Sequence, residues 1–196
     1  MTPAEDSQPL LLRTLRDPQE AARRLLALDL PAEARWLAVL LVAVLAVISL
    51  DLALWLVPEA EPSIFSVLAN PWLGLPLQVI SILILAAVMT GAGRPLGGRG
   101  GYADALTLVT WIEFVMVVAQ AVQIASMMVL PPLSLLVSIT SLVLFVWLMV
   151  HFTAALHGLP NLGQVILALI VGFVLVVVLA AVVLAVLGIS PETAGV

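Results

Sequence analysis

Five side chains that could do chemistry sit inside stretches that are otherwise apolar: Asp51, Glu113, Gln120, Gln123 and His151. On a helix of 3.6 residues per turn, Thr110, Glu113, Gln120 and Gln123 fall within one broad arc. A helix polar along one arc through a membrane should turn that arc inward. Glu113 and His151 are then candidates to meet across two helices, which would relieve the desolvation cost of both. The reading on offer is a structural interhelical hydrogen bond, with a proton relay as the sharper alternative. Asp51 interrupts Leu50-Asp51-Leu52 in the outer third of its apolar run. A carboxylate at that depth should face helices or water, as a hydrogen-bonded side chain or as a proton or cation site.

Other chemistries are poorly supplied. His151 and His157 are six residues apart and face different sides of a helix, so they miss the spacing of a helical zinc site. The chain has no cysteine, which removes disulfides, thiolate metal sites and a cysteine nucleophile. Ser134, Ser138 and Ser141 share a face, but small residues at that spacing serve helix packing, and no base lies beside them. No catalytic residue, metal site or cofactor is expected, and no enzymatic activity.

The seven basic residues are all arginine. Arg13, Arg16, Arg23 and Arg24 lie near the N-terminus, and Arg94 and Arg99 lie in the stretch 91–101, which holds six glycines. These six arginines are candidate contacts for lipid phosphates. The glycine-rich stretch could form an anion nest, or serve as a flexible connector. It matches neither a phosphate-binding loop nor a dinucleotide fingerprint.

The elements that must carry these residues follow from composition. Of 196 residues, 63% are hydrophobic and 10% charged, and the mean hydropathy is +1.24. Water cannot solvate that much apolar surface on a domain of this size, whereas lipid can. Five runs reach the roughly 20 residues that cross a ~30 Å hydrocarbon core. They cover about 34–57, 72–90, 103–130, 132–155 and 164–187. Pro58, Pro62 and Pro71 interrupt the first connection, and Pro131-Pro132 forces a turn between the third and fourth runs. The fold class is all-α, a five-helix transmembrane bundle. The fifth run is almost purely Leu, Val, Ile and Ala, and should face lipid or a partner.

Ahead of the first run, Asp17-Pro18-Gln19-Glu20 starts an amphipathic helix, with Asp17 as its cap and Pro18 in its first turn. Ala21, Ala22, Leu25 and Leu28 share its apolar side, and Pro31 ends it. Leucines beside arginines suit a helix lying on a membrane surface. The N-terminal region 1–33 and the loop after the second run together hold nearly all the basic residues, the last being Arg35. Five crossings place both on one side. The other side has Glu59, Glu61 and Glu192 and no arginine. By the positive-inside rule the N-terminus is cytoplasmic and the tail 189–196 periplasmic. No secretory signal is expected, because Leu10-Leu11-Leu12 is too short for one. The wealth of Ala, Leu, Val and Arg suggests a bacterial source and an inner-membrane location.

The segment from Gly97 to Gly188 resembles the Yip-domain (Ypt-interacting protein) membrane family. The resemblance rests on Gly97-Gly98-Arg99-Gly100-Gly101-Tyr102, on Ala103-Asp104-Ala105-Leu106-Thr107-Leu108-Val109, on the diproline break, and on Leu156-His157-Gly158-Leu159 before a last apolar span. Arg16-Asp17-Pro18-Gln19-Glu20-Ala21-Ala22-Arg23 is similar to bacterial members. The resemblance implies five spans and a non-enzymatic role in membrane organisation, scaffolding or a membrane complex. Its eukaryotic relatives bind Rab-type GTPases. This chain lacks their Asp-Leu-Tyr-Gly-Pro-type signature, so a GTPase partner is not carried over. The partners expected are membrane lipids and another integral membrane protein or a second copy, and no nucleic acid. The competing expectation is a small transporter or channel built on Asp51, Glu113 and His151.

Overall fold

The computed structural model describes residues 9–56 and 70–186. The acidic lead-in, Glu59 and Glu61 and the tail 189–196 lie outside the described residues. Among the described residues seven α-helices follow one another: α1 Leu10–Arg16, α2 Pro18–Leu26, α3 Ala32–Leu56, α4 Pro71–Gly93, α5 Tyr102–Val129, α6 Pro131–His157 and α7 Leu162–Val186. A short 3-10 turn, Arg94–Leu96, extends α4. No strand occurs among the described residues. Helices α3 to α7 are each long and apolar enough to cross a membrane. The chain is an all-α, multi-pass membrane protein, as the apolar runs require.

Local chemistry sets the helix boundaries. Asn70 caps α4, its Oδ1 accepting from the Trp72 amide at 3.0 Å, and Pro71 opens the first turn. Leu130 alone separates α5 from α6, and Pro131-Pro132 starts α6 where an unpaired amide would otherwise sit. Helix α5 runs as one helix of 28 residues.

Helix α5 is the hub, packed against α3, α4 and α6 and touched by α2. Helix α7 joins the outside, against α4 and α6. The core is concentrated at one depth. In α3 the buried residues are Val39, Val42, Ala43 and Val47; in α6 they run from Leu148 to His157; in α7 they are Val165 and Leu169. All but Val47 lie in the halves nearest α1, α2 and the glycine-rich loop. Toward the opposite end, α6 exposes Leu135, Leu136, Leu142 and Val143, and α7 exposes Leu175, Val177, Val178 and Leu179. The bundle is closed at its arginine-bearing end and open at the other. The serines fit that picture. Ser134 and Ser141 donate to carbonyls of their own helix, Pro131 and Val137, in the open half of α6. They do not form the tight seam their spacing suggests.

The amphipathic helix starts as its residues dictate. Asp17 Oδ1 accepts from the Glu20 amide at 3.0 Å. Glu20 does not reach back to close a capping box. It accepts instead from Arg23 Nε at 3.1 Å and Arg24 Nε at 3.2 Å. Ala21, Ala22 and Leu25 are buried, because α2 lies across the ends of α6 and α5. The leucines of this region that stay exposed are Leu12, Leu15 and Leu28. A second tie holds α1: Trp111 Nε1 of α5 donates to Thr14 Oγ1 at 2.9 Å, and that hydroxyl donates to the Leu10 carbonyl at 2.9 Å.

Two outcomes follow. Thr14→Val removes the acceptor of the Trp111 N–H and should cost about 1–2 kcal/mol. Hydrogen exchange should quicken over 10–26 while the spans stay protected. The bonds from Arg24 and then Arg23 hold the Glu20 carboxyl below its ordinary value of 4.5. A lowered carboxylate adds stability above its unfolded pKa and loses it as pH falls through the folded one. Acidification through that window should loosen α2, and Glu20→Gln should abolish that part of the response.

Candidate functional site

Polar groups within the spans fall into separate places. Glu113 lies eleven residues into α5, roughly 17 Å along the helix, near the middle of a ~30 Å core. Its Oε2 accepts from Gln78 Nε2 of α4 at 3.0 Å. The expected partner, His151, is elsewhere engaged. Its Nδ1 lies 2.8 Å from the Trp147 carbonyl one turn earlier, and its ring sits against the Trp147 ring at 4.9 Å between centroids. No hydrogen bond joins Glu113 to His151. The physical reason is competition: a helix carbonyl with a spare lone pair lies within reach of His151, and an amide donor lies within reach of Glu113.

The rest of the arc is dispersed too. Thr110 donates to the Leu106 carbonyl at 2.7 Å, inside its own helix. Gln120 and Gln123 are half-buried, and the Gln123 main-chain carbonyl accepts from Ser126 Oγ at 2.8 Å. Asp51 is exposed in the last third of α3, apart from the bundle interior. The five residues do not form one network. Gln78 is the member that sequence reasoning missed. Its signal was available, since an amide inside an apolar span needs a partner.

The most constrained constellation lies at the arginine-bearing end, around His157. This histidine closes α6 and is buried. Its Nδ1 accepts from the Gly100 amide at 3.1 Å, and its Nε2 lies 3.0 Å from the Met89 carbonyl of α4. Those two partners together require the neutral tautomer, with the proton on Nε2. The ring thus clasps the loop 94–101 to α4 and to the end of α6. Three glycines make room for it. A Cβ at Gly93, Gly98 or Gly100 would overlap the His157 ring or the neighbouring Leu156 side chain. Gly97 turns the loop with φ +85°, and its amide bonds the Arg94 carbonyl at 3.1 Å. The stretch that resembled a flexible connector is a fitted one. His157 entered the sequence argument as half of a rejected metal pairing and within the Leu156-His157-Gly158-Leu159 stretch of the family resemblance, not as a clasp.

The arginines divide as well. Arg16, Arg23, Arg94 and Arg99 are exposed and Arg24 is half-exposed. Arg23 and Arg24 both bond the Glu20 carboxylate through Nε. Arg13 departs from the expectation of an exposed arginine: at 8% exposure it is buried within the protein.

His157→Ala should leave the Gly100 amide and the Met89 carbonyl without their partner, at a cost of about 2–4 kcal/mol. The loop should then open, and tryptic cleavage after Arg99 should accelerate. Gly98→Val should reproduce that cleavage, since its side chain would displace the ring.

No curated protein and no solved structure matches this chain. The family model for the Yip1 domain matches residues 12–183. The match runs from α1 into the last turns of α7, and so takes in all five spans, the glycine-rich loop and His157. The chain belongs to the Yip1-domain family of membrane proteins.

Proposed function

We propose that this protein is a non-enzymatic scaffold of the bacterial inner membrane, which organises membrane or serves as an accessory subunit of a membrane complex. Its N-terminus and glycine-rich loop are cytoplasmic and its C-terminus periplasmic, in keeping with the arginines at one end. The observation that carries this reading is the uneven core. One end of the bundle is closed and clasped, while the outer halves of α6 and α7 present broad apolar surface. Surface of that kind suits helix-to-helix association with another integral protein or a second copy.

A second reading is kept by one observation, the Gln78–Glu113 pair near mid-membrane. An ionisable group there marks a candidate step for protons or small cations.

Two measurements separate the readings. A photo-crosslinker at Leu136, Leu142 or Leu175 should yield a discrete protein adduct in native membranes. Adducts to lipid alone at all three positions would refute scaffolding through this face. In proteoliposomes the scaffold reading expects no flux above protein-free vesicles. Flux that disappears in Glu113→Gln, which keeps an acceptor for Gln78, would establish transport instead.

A further inference from the structure

A crevice of about 220 Å³ opens between α3 and α4, in the half of the bundle away from the arginines. Ala46, Val47 and Leu50 form one wall, and chiefly Gly74, Gln78 and Ser81 the other. The α4 wall starts about 5 Å along that helix from Pro71 and ends about 15 Å along it, at 1.5 Å per residue. The crevice therefore leads from near the membrane surface to the middle of a ~30 Å core. Its wall carries an amide and a hydroxyl, and several waters fit at ~30 Å³ each. Ser49 and Thr90 donate to carbonyls of their own helices, whereas exposed Ser81 makes no such bond among the described residues.

Behind the α4 wall stands Glu113. Gln78 Nε2 donates to Glu113 Oε2, so one side chain both lines the crevice and holds the carboxyl. Both residues are half-buried. Toward the arginines the way is sealed: Ile82 and Met89 of α4 and Val109 and Ile112 of α5 are all at 0% exposure. Water can then reach the pair from one side. No cation bonds Glu113 among the described residues. The titratable groups of its neighbours lie elsewhere. Asp51 of α3 is exposed, His151 of α6 is on the Trp147 carbonyl, and α4 has none within its helix. The charged groups of α1, α2 and the first turn of α3 lie at the arginine-bearing end, with Tyr102 and Asp104 of α5. An unpaired carboxylate in hydrocarbon is costly, and a bound cation removes that cost. A metal ion would need several oxygens, whereas Gln78 turns an N–H to the carboxyl. The cation that fits is the proton.

We propose that Glu113 is a proton-binding site served by water in this crevice, from the side opposite the arginines. A hydronium ion gives its proton to the Glu113 carboxylate past Gln78, leaving water, and the proton returns the same way. The inference deepens the second reading above, since it names the ion and its side of entry. It holds without crossing: flux tests that reading, and access and labelling test this one.

The chain has no cysteine, so a single Ser81→Cys reports on this place alone. The full chain is reconstituted in vesicles, and a membrane-impermeant methanethiosulfonate is added to one side or the other. The reagent attacks thiolates, which form in water and not in an apolar setting. From the side opposite the arginines it should modify Ser81→Cys about tenfold faster than Ile80→Cys, which lies at the same depth on an exposed face outside the crevice. From the arginine side it should modify neither. The wild-type protein then reads the proton. Dicyclohexylcarbodiimide enters membranes and adds to protonated carboxyls, giving an N-acylurea that peptide mass spectrometry locates. The Glu113 adduct should be lost as pH on the crevice side rises from about 6 to 10, and should ignore pH on the arginine side. Ser81→Cys that resists the reagent, or reacts equally from both sides, overturns the proposal. So does a Glu113 adduct that never forms or is unchanged by crevice-side pH. Protection of Glu113 by sodium at constant pH also overturns it, in favour of a metal-ion site.

Discussion

A polar group in hydrocarbon has no water to fall back on, and this protein is organised by that fact. Backbone amides are satisfied inside the five long helices. Side chains must find partners where they stand, and they take the nearest one. Glu113 takes Gln78, His151 takes the carbonyl one turn behind it, and Thr110 does the same. Local satisfaction is cheaper than a long network, because each added member must be held in place at an entropic cost. The membrane interior consequently holds isolated polar contacts.

The same rule acts differently at the arginine-bearing end. There the chain leaves helical geometry after the 3-10 turn Arg94–Leu96, and the amides that follow need other acceptors: Gly97 and Gly98 bond back to Arg94 and Gly93. His157 supplies one of them, to Gly100, while its other nitrogen reaches back to Met89. A single imidazole thereby satisfies a loop, a helix end and a neighbouring helix at once. Helices α4, α5 and α6 pack densely around it, and α2 docks across the ends of α5 and α6.

Much of this was legible in the residues. Apolar runs separated by prolines marked five helices, and the structure draws them at Ala32–Leu56, Pro71–Gly93, Tyr102–Val129, Pro131–His157 and Leu162–Val186. Asp17 and Pro18 marked the start of α2 because capping is a local event. What stayed hidden depended on rotation of one helix about another. The arc on α5 said that Glu113 faces inward, but it could not say whether α4 or α6 would offer the donor. The burial of Arg13 turns on how α1 and α2 fold back over the bundle, which no periodicity encodes. His157 and its glycines are 57 to 64 residues apart in sequence, at the counts set by Gly100 and Gly93. Their fit becomes visible only when α4, the loop and α6 are brought together.

The uneven core has a consequence for membranes of different thickness. Helices of 23 to 28 residues are about 34–42 Å long, more than a ~30 Å hydrocarbon layer requires. Such helices must lean when the bilayer is thin and straighten when it is thick. In a uniformly packed bundle every such adjustment would disturb interlocked side chains. Here the clasped end acts as a fixed pivot and the open end as the free ends of the legs. The spread of α6 and α7 can follow bilayer thickness, or the curvature of one leaflet, while the loop around His157 keeps its shape.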